Sequence, residues 1–258
     1  MARMARTISS TGVYHIILRG INKERIFITE YDREKLIKEL KRTKEKFHYS
    51  ILAYCLMDNH IHLLVKDNEN NLSKAIQSFA VAYALYFNKR YNRVGHLFQN
   101  RYHSRCVESE NYLLNVQRYI HRNPEKAGIA KTEQYHWSSY SEYIGQEEIS
   151  DTKLILDIFG DNRKEAKKNF AIFNTKNCVE NELCQYMEFE IMNKLEDNEA
   201  KELIEKYLEI DNIEEIKDYN KTIIGNTLKK LKGIKGISVR QISRITGIEL
   251  TAIQRIFK

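Results

Sequence analysis

The stretch SILAYCLMDNHIHLLVK, residues 50–66, decides the fold. It contains two runs of branched and aromatic residues, 50–57 and 60–66, which are separated only by Asp58 and Asn59. Runs of this composition form strands, and a two-residue polar link between two of them is typical of a β-hairpin. The sequence therefore predicts a hairpin that turns at Asp58 and Asn59.

Strand and helix patterns alternate on both sides of this hairpin. The predicted elements are a strand at 13–20, a helix at 32–48, a helix at 72–91, a strand at 101–108, and a helix from Glu110 to Arg122 that Pro124 stops. The order β-α-β-β-α-β-α with a central hairpin is the split βαβ arrangement. We therefore predict an α+β fold, a ferredoxin-like antiparallel sheet with helices on one face, followed by an all-α C-terminal region.

The composition excludes several classes of protein. Of the 258 residues, 42% are hydrophobic, which is too many for a disordered chain. No apolar run reaches the roughly 18 residues that could cross a membrane, and the N-terminus lacks the apolar segment of a signal peptide. The four cysteines form no CxxC pair, so neither a zinc ribbon nor a disulfide framework is indicated. We expect a cytoplasmic protein.

The charge is distributed in three blocks. Residues 1–150 carry 23 basic and 16 acidic side chains, residues 151–224 carry 11 and 18, and residues 225–258 carry 8 and 1. The net charges are therefore +7, −7 and +7. This pattern predicts a first domain at 1–150, an acidic helical connector at 151–224 and a basic tail at 225–258, with both basic blocks facing a polyanion.

The tail sequence SVRQISRITGIELTAIQRIF, residues 238–257, predicts a helix-turn-helix. Ser238 would cap the first helix, Gly247 would allow the turn, and Ile253 and Ile256 would pack the second helix. A helical hairpin without a DNA-binding role has the same pattern. The residues predicted to contact DNA are Arg240, Arg244, Thr251, Gln254 and Arg255.

The segment His60-Ile61-His62 is the first candidate for chemistry. On a strand, residues i and i+2 point to the same face, so the two imidazoles would stand where one divalent ion could bridge them. Ile61 would then face the core. A lone HxH is a weak signal, because a site of this kind also needs a third ligand and a nucleophile.

The segment RYIHRNP, residues 118–124, offers both of these groups. Tyr119 and Asn123 are four residues apart and so share one helix face. A tyrosine phenol can attack a phosphodiester, and a carboxamide oxygen can bind a cation. Two alternatives stay open, since Tyr112 lies on the same face as a second possible nucleophile and Asn123 fits a helix C-cap.

Four segments resemble single-tyrosine transposases of the His-hydrophobic-His superfamily. They are YHIILRGINKERIF (14–27), CLMDNHIHLLV (55–65), GHLFQNRYHSR (95–105) and RYIHRNPEKAGI (118–129). The chain is most similar to the REP-associated tyrosine transposases and their insertion-sequence relatives, over roughly residues 7–145. It departs from the family at Asp58, where Pro commonly stands; we expect this to alter only the hairpin, although a carboxylate near a metal could matter.

The resemblance implies a ferredoxin-like nuclease domain at 1–150. In it, His60 and His62 would hold Mg²⁺ or Mn²⁺, Asn123 would be the third ligand, and Tyr119 would attack a phosphate of single-stranded or hairpin DNA. The product would be a 5′-phosphotyrosine and a free 3′-OH, rejoined later in DNA transposition. A homodimer is possible in this family.

Basic residues near these segments are further candidates for DNA binding. They are Arg19, Arg25, Arg101, Arg105, Arg118 and Arg122. Two other functions fit the same sequence: a domesticated nickase that mobilises no DNA, and a non-catalytic transcriptional regulator that binds DNA through its tail.

Overall fold

The structure is a computed structural model. It describes residues 7–175, 197–210, 212–231, 237 and 239–257. The predicted cap Ser238 lies outside the described residues. Contacts along the chain divide it into two units, Met1–Leu183 and Cys184–Lys258.

The first unit contains a four-stranded antiparallel sheet. Its strands are β1 (Val13–Arg19), β2 (Ser50–Met57), β3 (His60–Lys66) and β4 (His103–Cys106), in the spatial order β2-β3-β1-β4. Helix α1 (Glu30–Phe47) connects β1 to β2, and helix α2 (Leu72–Arg90) connects β3 to β4. This order with two connecting helices is ferredoxin-like, so the predicted fold class is confirmed.

The central hairpin separates the two faces of the sheet. Ile61, Leu63 and Val65 of β3 are fully buried in the main core, together with residues of α1 and α2. The alternate residues His60 and His62 therefore point to the opposite face. The hairpin turns at Asp58 and Asn59 as predicted.

Helix α3 (Glu110–Lys126) covers that opposite face. The expectation that Pro124 would stop the helix was wrong, because Pro124 lies inside its last turn. The carbonyl of Asn123 accepts a hydrogen bond from Ala127 N–H at 3.1 Å, and that of Pro124 accepts one from Ile129 N–H at 2.9 Å. Proline removes one helical donor, and burial of its ring together with these two bonds keeps the turn intact.

Three shorter helices continue the first unit: α4 (Tyr140–Ile144), α5 (Lys153–Phe159) and α6 (Arg163–Thr175). Phe170 of α6 stacks on Tyr143 with ring centroids 4.3 Å apart. Asn174 accepts a hydrogen bond from Gln117 of α3 at 3.1 Å. Residues up to 175 thus pack within the first unit, whereas the predicted boundaries at 150 and 224 stay a prediction.

His121 of α3 is a structural histidine. Burial lowers its pKa to about 3, so the ring is neutral at physiological pH. Its Nδ1 lies 2.6 Å from Gln117 Nε2, and its Nε2 lies 2.7 Å from Ser139 Oγ. These contacts tie α3 to the segment before α4.

The described part of the second unit is helical. It comprises α7 (Asp197–Leu208), a 3-10 helix (Ile213–Asp218), α8 (Lys221–Leu231), α9 (Val239–Thr246) and α10 (Leu250–Phe257). Ile204, Leu228, Ile242 and Ile253 form its core. Gly247, between α9 and α10, has φ +68°, which glycine adopts at little cost. A helix-turn-helix that binds DNA stays a prediction.

No helix in the described ranges combines the length and the apolar character needed to cross a bilayer. The cytoplasmic location and the homodimer stay predictions.

The N-terminus of α1 depends on Asp32, whose side chain is fully buried. Its Oδ2 accepts hydrogen bonds from Ile28 N–H, Thr29 N–H and the Tyr91 hydroxyl at 2.7–2.9 Å, and its Oδ1 accepts one from Tyr86 at 2.8 Å. Burial alone would raise the pKa of Asp32, but these donors together lower it below 3.8. The carboxylate is therefore the form that stabilises the fold.

Replacing Asp32 with Ala is expected to lower the free energy of unfolding by about 3 kcal/mol at pH 7, since four partly buried donors lose their acceptor. Because the folded pKa is depressed, this stabilisation is present above pH 3.8 and is lost as the pH falls through the folded pKa. Urea unfolding of the wild type and of Asp32→Ala, at pH 7 and at a pH below the folded pKa, measures the difference in stability. If the free energies of unfolding of wild type and variant differed equally in acid and at pH 7, this role of the carboxylate would be contradicted.

Candidate active site

The two histidines of the hairpin lie side by side on the face of the sheet that α3 covers. Their ring centroids are 4.8 Å apart, with the rings edge to face. His60 pairs with Arg19 of β1 and His62 pairs with Ile17, so the adjacent strand fixes their positions. His60 is 9% exposed and His62 is fully buried. The site is therefore a shielded pocket between sheet and helix.

Helix α3 brings Tyr119 and Asn123 to the same pocket. The Tyr119 ring lies edge-on to His62, with 5.5 Å between the centroids. Asn123 Nδ2 lies 3.3 Å from His62 Nε2. The continuous helical turn explains this proximity, because residues four apart stand above one another on a helix. All four predicted residues thus meet within one chain.

Hydrogen bonds hold both histidine rings by Nδ1. His60 Nδ1 lies 2.6 Å from Asn59 Oδ1, whose own amide group donates to the Lys23 carbonyl at 3.3 Å. An amide oxygen only accepts, so the proton of His60 is on Nδ1 and Nε2 keeps its lone pair. His62 Nδ1 lies 3.1 Å from His15 Nε2. Imidazoles that bind metals commonly have this arrangement, with one nitrogen anchored and the other directed into the site.

These donors fit a divalent cation. Two imidazole nitrogens and one carboxamide oxygen leave coordination positions for phosphate and water. Within the described ranges, no three or more His, Cys, Asp or Glu side chains form a cluster that could hold a metal. A third protein ligand here would therefore be the amide of Asn123, whose oxygen reaches the site by rotation of the side chain.

The segment that carries these four residues is similar to known transposases. Residues 9–123, which include all four site residues, match the family model of IS200-like transposases. The resemblance to single-tyrosine transposases that the sequence predicts is therefore confirmed. The chain is also 26% identical over 146 residues to a REP-associated tyrosine transposase of Haemophilus influenzae strain Rd, covering 51% of this chain and 80% of that protein. The matched family and this relative are tyrosine transposases, which are DNA-cleaving enzymes.

Two solved structures are also similar to this chain. One is a REP-associated tyrosine transposase bound to a REP hairpin, with 14% identity and a TM-score of 0.48 over 59% of this chain and 96% of its own. The other is a protein of Deinococcus radiodurans R1 described as a transposase, with 18% identity and a TM-score of 0.34 over 46% and 95%.

The predicted DNA-binding arginines of the first unit occupy different environments. Arg19 and Arg105 lie on the face of the sheet that carries the histidines, and both are half-buried. The Arg105 guanidinium lies 5.3 Å from the Tyr112 ring centroid. Arg101 is exposed before β4. The role of these three arginines in DNA binding stays a prediction.

Other arginines form internal contacts. Arg118 is 5% exposed; it donates to the Phe173 carbonyl at 3.1 Å and stacks over the Phe173 ring at 4.4 Å. Arg122 forms an ion pair with Glu125 at 3.3 Å, and its side chain is 14% exposed. We therefore omit Arg118 from the proposed DNA contacts, because it holds α6 against α3. The sequence placed it beside Tyr119 without showing that α6 would cover it.

Asp58, at which the chain departs from the pattern of the transposases it resembles, pairs with two arginines. Its carboxylate pairs with Arg25 at 2.7 Å and with Arg33. Its carbonyl accepts hydrogen bonds from Ile26 N–H at 2.8 Å and Phe27 N–H at 3.2 Å. Asp58 therefore joins the hairpin to the segment before α1, and Arg25 is engaged in that junction.

In the second unit, the predicted DNA-contacting residues are mainly exposed. Arg240, Thr251 and Arg255 are exposed and Gln254 is half-buried. Arg244 pairs through two hydrogen bonds, of 2.7 and 2.8 Å, with Asp197. This pair connects α9 to α7, so Arg244 already has an acidic partner.

His15 is the site residue that the sequence analysis missed. It is 1% exposed and lies on the same face of the sheet as His62, with the rings stacked 5.3 Å apart. Alternation along β1 was a usable signal, because His15, Ile17 and Arg19 share one face. Its closeness to His62 depends on the register between β1 and β3, which alternation does not give.

Proposed function

We propose that this protein acts as a transposase, a metal-dependent endonuclease and strand transferase for single-stranded DNA, with Tyr119 as its nucleophile. The observation that carries the proposal is the convergence of Tyr119, Asn123, His60 and His62 in one pocket. Sheet and helix contribute two of these groups each. A packed tyrosine alone would be ordinary, whereas one beside two anchored imidazoles has the surroundings of a phosphoryl-transfer site.

The proposed metal ligands are His60 Nε2, His62 Nε2 and the Asn123 carboxamide oxygen. A bound Mg²⁺ or Mn²⁺ would polarise the scissile phosphate and stabilise the charge that develops on it. His60 and His62 are positioned for this by their Nδ1 contacts, and Asn123 by the rigid turn of α3. The burial of His62 excludes most water, which strengthens interactions with the phosphate.

In the proposed step, Tyr119 Oη attacks the phosphorus and the bond from phosphorus to the 3′ oxygen breaks. The phenol loses its proton, and the departing 3′ oxygen gains one. The products are a 5′-phosphotyrosine and a free 3′-OH, and attack by a 3′-OH reverses the step and joins strands. Energy of the phosphodiester is retained in the tyrosyl ester, so rejoining needs no further cofactor.

DNA has to displace side chains before this step. Tyr119 is 1% exposed, and the Lys126 ammonium lies 4.7 Å from its ring centroid. Lys126 is exposed on the last turn of α3, where its ammonium can leave the Tyr119 ring and bind a phosphate instead. We propose that this exchange opens the pocket when the strand binds.

The proposed path of the strand runs along β4. Arg101 and Arg105 flank His103 there, and Arg19 lies on the same face of the sheet in β1. Cations of this kind neutralise phosphates without reading sequence. The exposed cations of α9 and α10 are proposed as a second DNA contact, which holds a recognition site or a hairpin stem.

Incubation of the full chain with a labelled single-stranded oligonucleotide and Mn²⁺ tests the proposal. A covalent protein–DNA adduct that survives denaturation and disappears with a chelator is expected. A regulator that only binds DNA forms no such adduct. Cleavage without any adduct would overturn the covalent mechanism.

Arg105 gives a separate prediction about the strand path. Replacing it with Gln is expected to weaken binding of a single-stranded oligonucleotide and to reduce the slope of log affinity against log salt by about 0.7, the value of one phosphate contact. Fluorescence anisotropy at several salt concentrations measures this. Lys153→Gln, which removes an exposed cation at the start of α5, is the matched control. Identical slopes for the two variants would place the strand elsewhere.

A further inference from the structure

We propose that His15 is a positioning residue for the metal ligand His62. His15 Nε2 accepts the Nδ1–H of His62 and thereby keeps His62 Nε2 unprotonated and directed toward Asn123. The inference deepens the proposed function and rests on it. It concerns a buried imidazole that is itself no proposed ligand.

The register of the sheet creates this contact. On β1 and β3, His15 pairs with Leu64 and Ile17 pairs with His62. His15 and His62 are thus diagonal neighbours on one face, a relation in which large side chains reach each other. Their rings stack at 5.3 Å with an interplanar angle of 22°, and the two nitrogens lie 3.1 Å apart.

The other side of the His62 ring fixes the direction of this hydrogen bond. The amide nitrogen of Asn123 lies 3.3 Å from His62 Nε2. An amide nitrogen only donates, so Nε2 accepts and the proton of the neutral ring is on Nδ1. His62 Nδ1 is then the donor and His15 Nε2 the acceptor. When a cation binds, the same lone pair on Nε2 is available to it.

Packing alone does not account for a histidine at position 15. The side chain is 1% exposed, and an imidazole is costly to bury unless it forms hydrogen bonds. A leucine would fill similar space without that cost. The second ring of the motif has the equivalent support, because Asn59 Oδ1 lies 2.6 Å from His60 Nδ1. Each proposed imidazole ligand therefore has its own acceptor on Nδ1.

Titration of Mn²⁺ into the full-length protein, followed by calorimetry, tests the inference without any measurement of activity. His15→Leu is expected to weaken Mn²⁺ binding about 10- to 100-fold, the usual effect of removing such a support. His15→Gln provides an amide oxygen as acceptor and is expected to restore binding to within a few-fold of wild type. A role in packing alone would not give this difference between Leu and Gln.

Two controls separate failure of the inference from failure of the proposed function. His62→Ala removes a ligand, and His96→Leu removes an exposed histidine outside the site. If His62→Ala abolishes Mn²⁺ binding while His15→Leu binds like wild type, the positioning role is wrong and the metal site stands. If neither variant differs from wild type, the metal site itself is wrong and the inference falls with it.

A measurement on the metal-free wild type covers the case in which His15→Leu does not fold. NMR of the protein labelled with ¹⁵N in its histidine rings reports which nitrogen of each ring carries a proton. The His62 signals are identified by their loss in His62→Gln. We expect the proton on Nδ1 of His62, and a proton on Nε2 instead would overturn the proposal.

Discussion

Tyr119→Phe is expected to abolish the covalent protein–DNA adduct and to reduce cleavage of single-stranded DNA by at least about 1,000-fold. The substitution removes only the hydroxyl that we propose as the nucleophile. Phe retains the ring that lies edge-on to His62 at 5.5 Å and to His15 at 6.1 Å, so the pocket should keep its shape. Denaturing gels of a labelled oligonucleotide measure both products, and oligonucleotide affinity should change little.

Tyr112→Phe is the matched control for this prediction. Tyr112 stands seven residues earlier on α3, and its ring lies 5.3 Å from the Arg105 guanidinium carbon. Its substitution should leave the adduct intact. Loss of the adduct in Tyr112→Phe and its retention in Tyr119→Phe would assign the nucleophile to Tyr112.

His62→Ala is expected to have the second large effect, a decrease in cleavage of at least about 100-fold together with loss of Mn²⁺ binding. The substitution removes one proposed imidazole ligand and the contact with Asn123. A metal held at this proposed site would supply several kcal/mol of stabilisation to the transition state, so weak occupancy would reduce the rate directly. Cleavage rates at increasing Mn²⁺ concentrations measure the effect.

The concentration dependence distinguishes ligand loss from a damaged fold. Partial recovery of cleavage by His62→Ala at high Mn²⁺ is expected if the site keeps its other ligands. His96→Ala, at an exposed position, should behave like the wild type at every concentration. Full activity of His62→Ala with chelator present would rule out metal dependence through this residue.

The sequence predicted the sheet well because its signals are local. The hairpin, β1 and the two connecting helices follow from alternation, helical spacing and a two-residue turn, and their bounds differ little from those observed. The end of α3 was predicted wrongly. In a sequence, a proline predicts the end of a helix. Here the burial of Pro124 and the hydrogen bonds from Ala127 and Ile129 continue the helix.

Only part of the candidate site could be predicted, because only part of it depends on local sequence. His60 and His62, like Tyr119 and Asn123, are linked by fixed spacing within one element, so each pair could be read from the chain. The link between the pairs, the contact with His15 and the burial of Arg118 under Phe173 depend on packing between distant segments. No spacing rule reports those distances.

The uninterrupted turn around Pro124 couples two events in the proposed reaction. Tyr119 and Asn123 belong to the same rigid stretch of helix, while His60 and His62 belong to the sheet. Any shift of the helix that exposes the phenol therefore also changes the distance between the amide and the imidazoles. Metal affinity and DNA affinity are then thermodynamically linked, and each ligand should alter the binding of the other by the same factor.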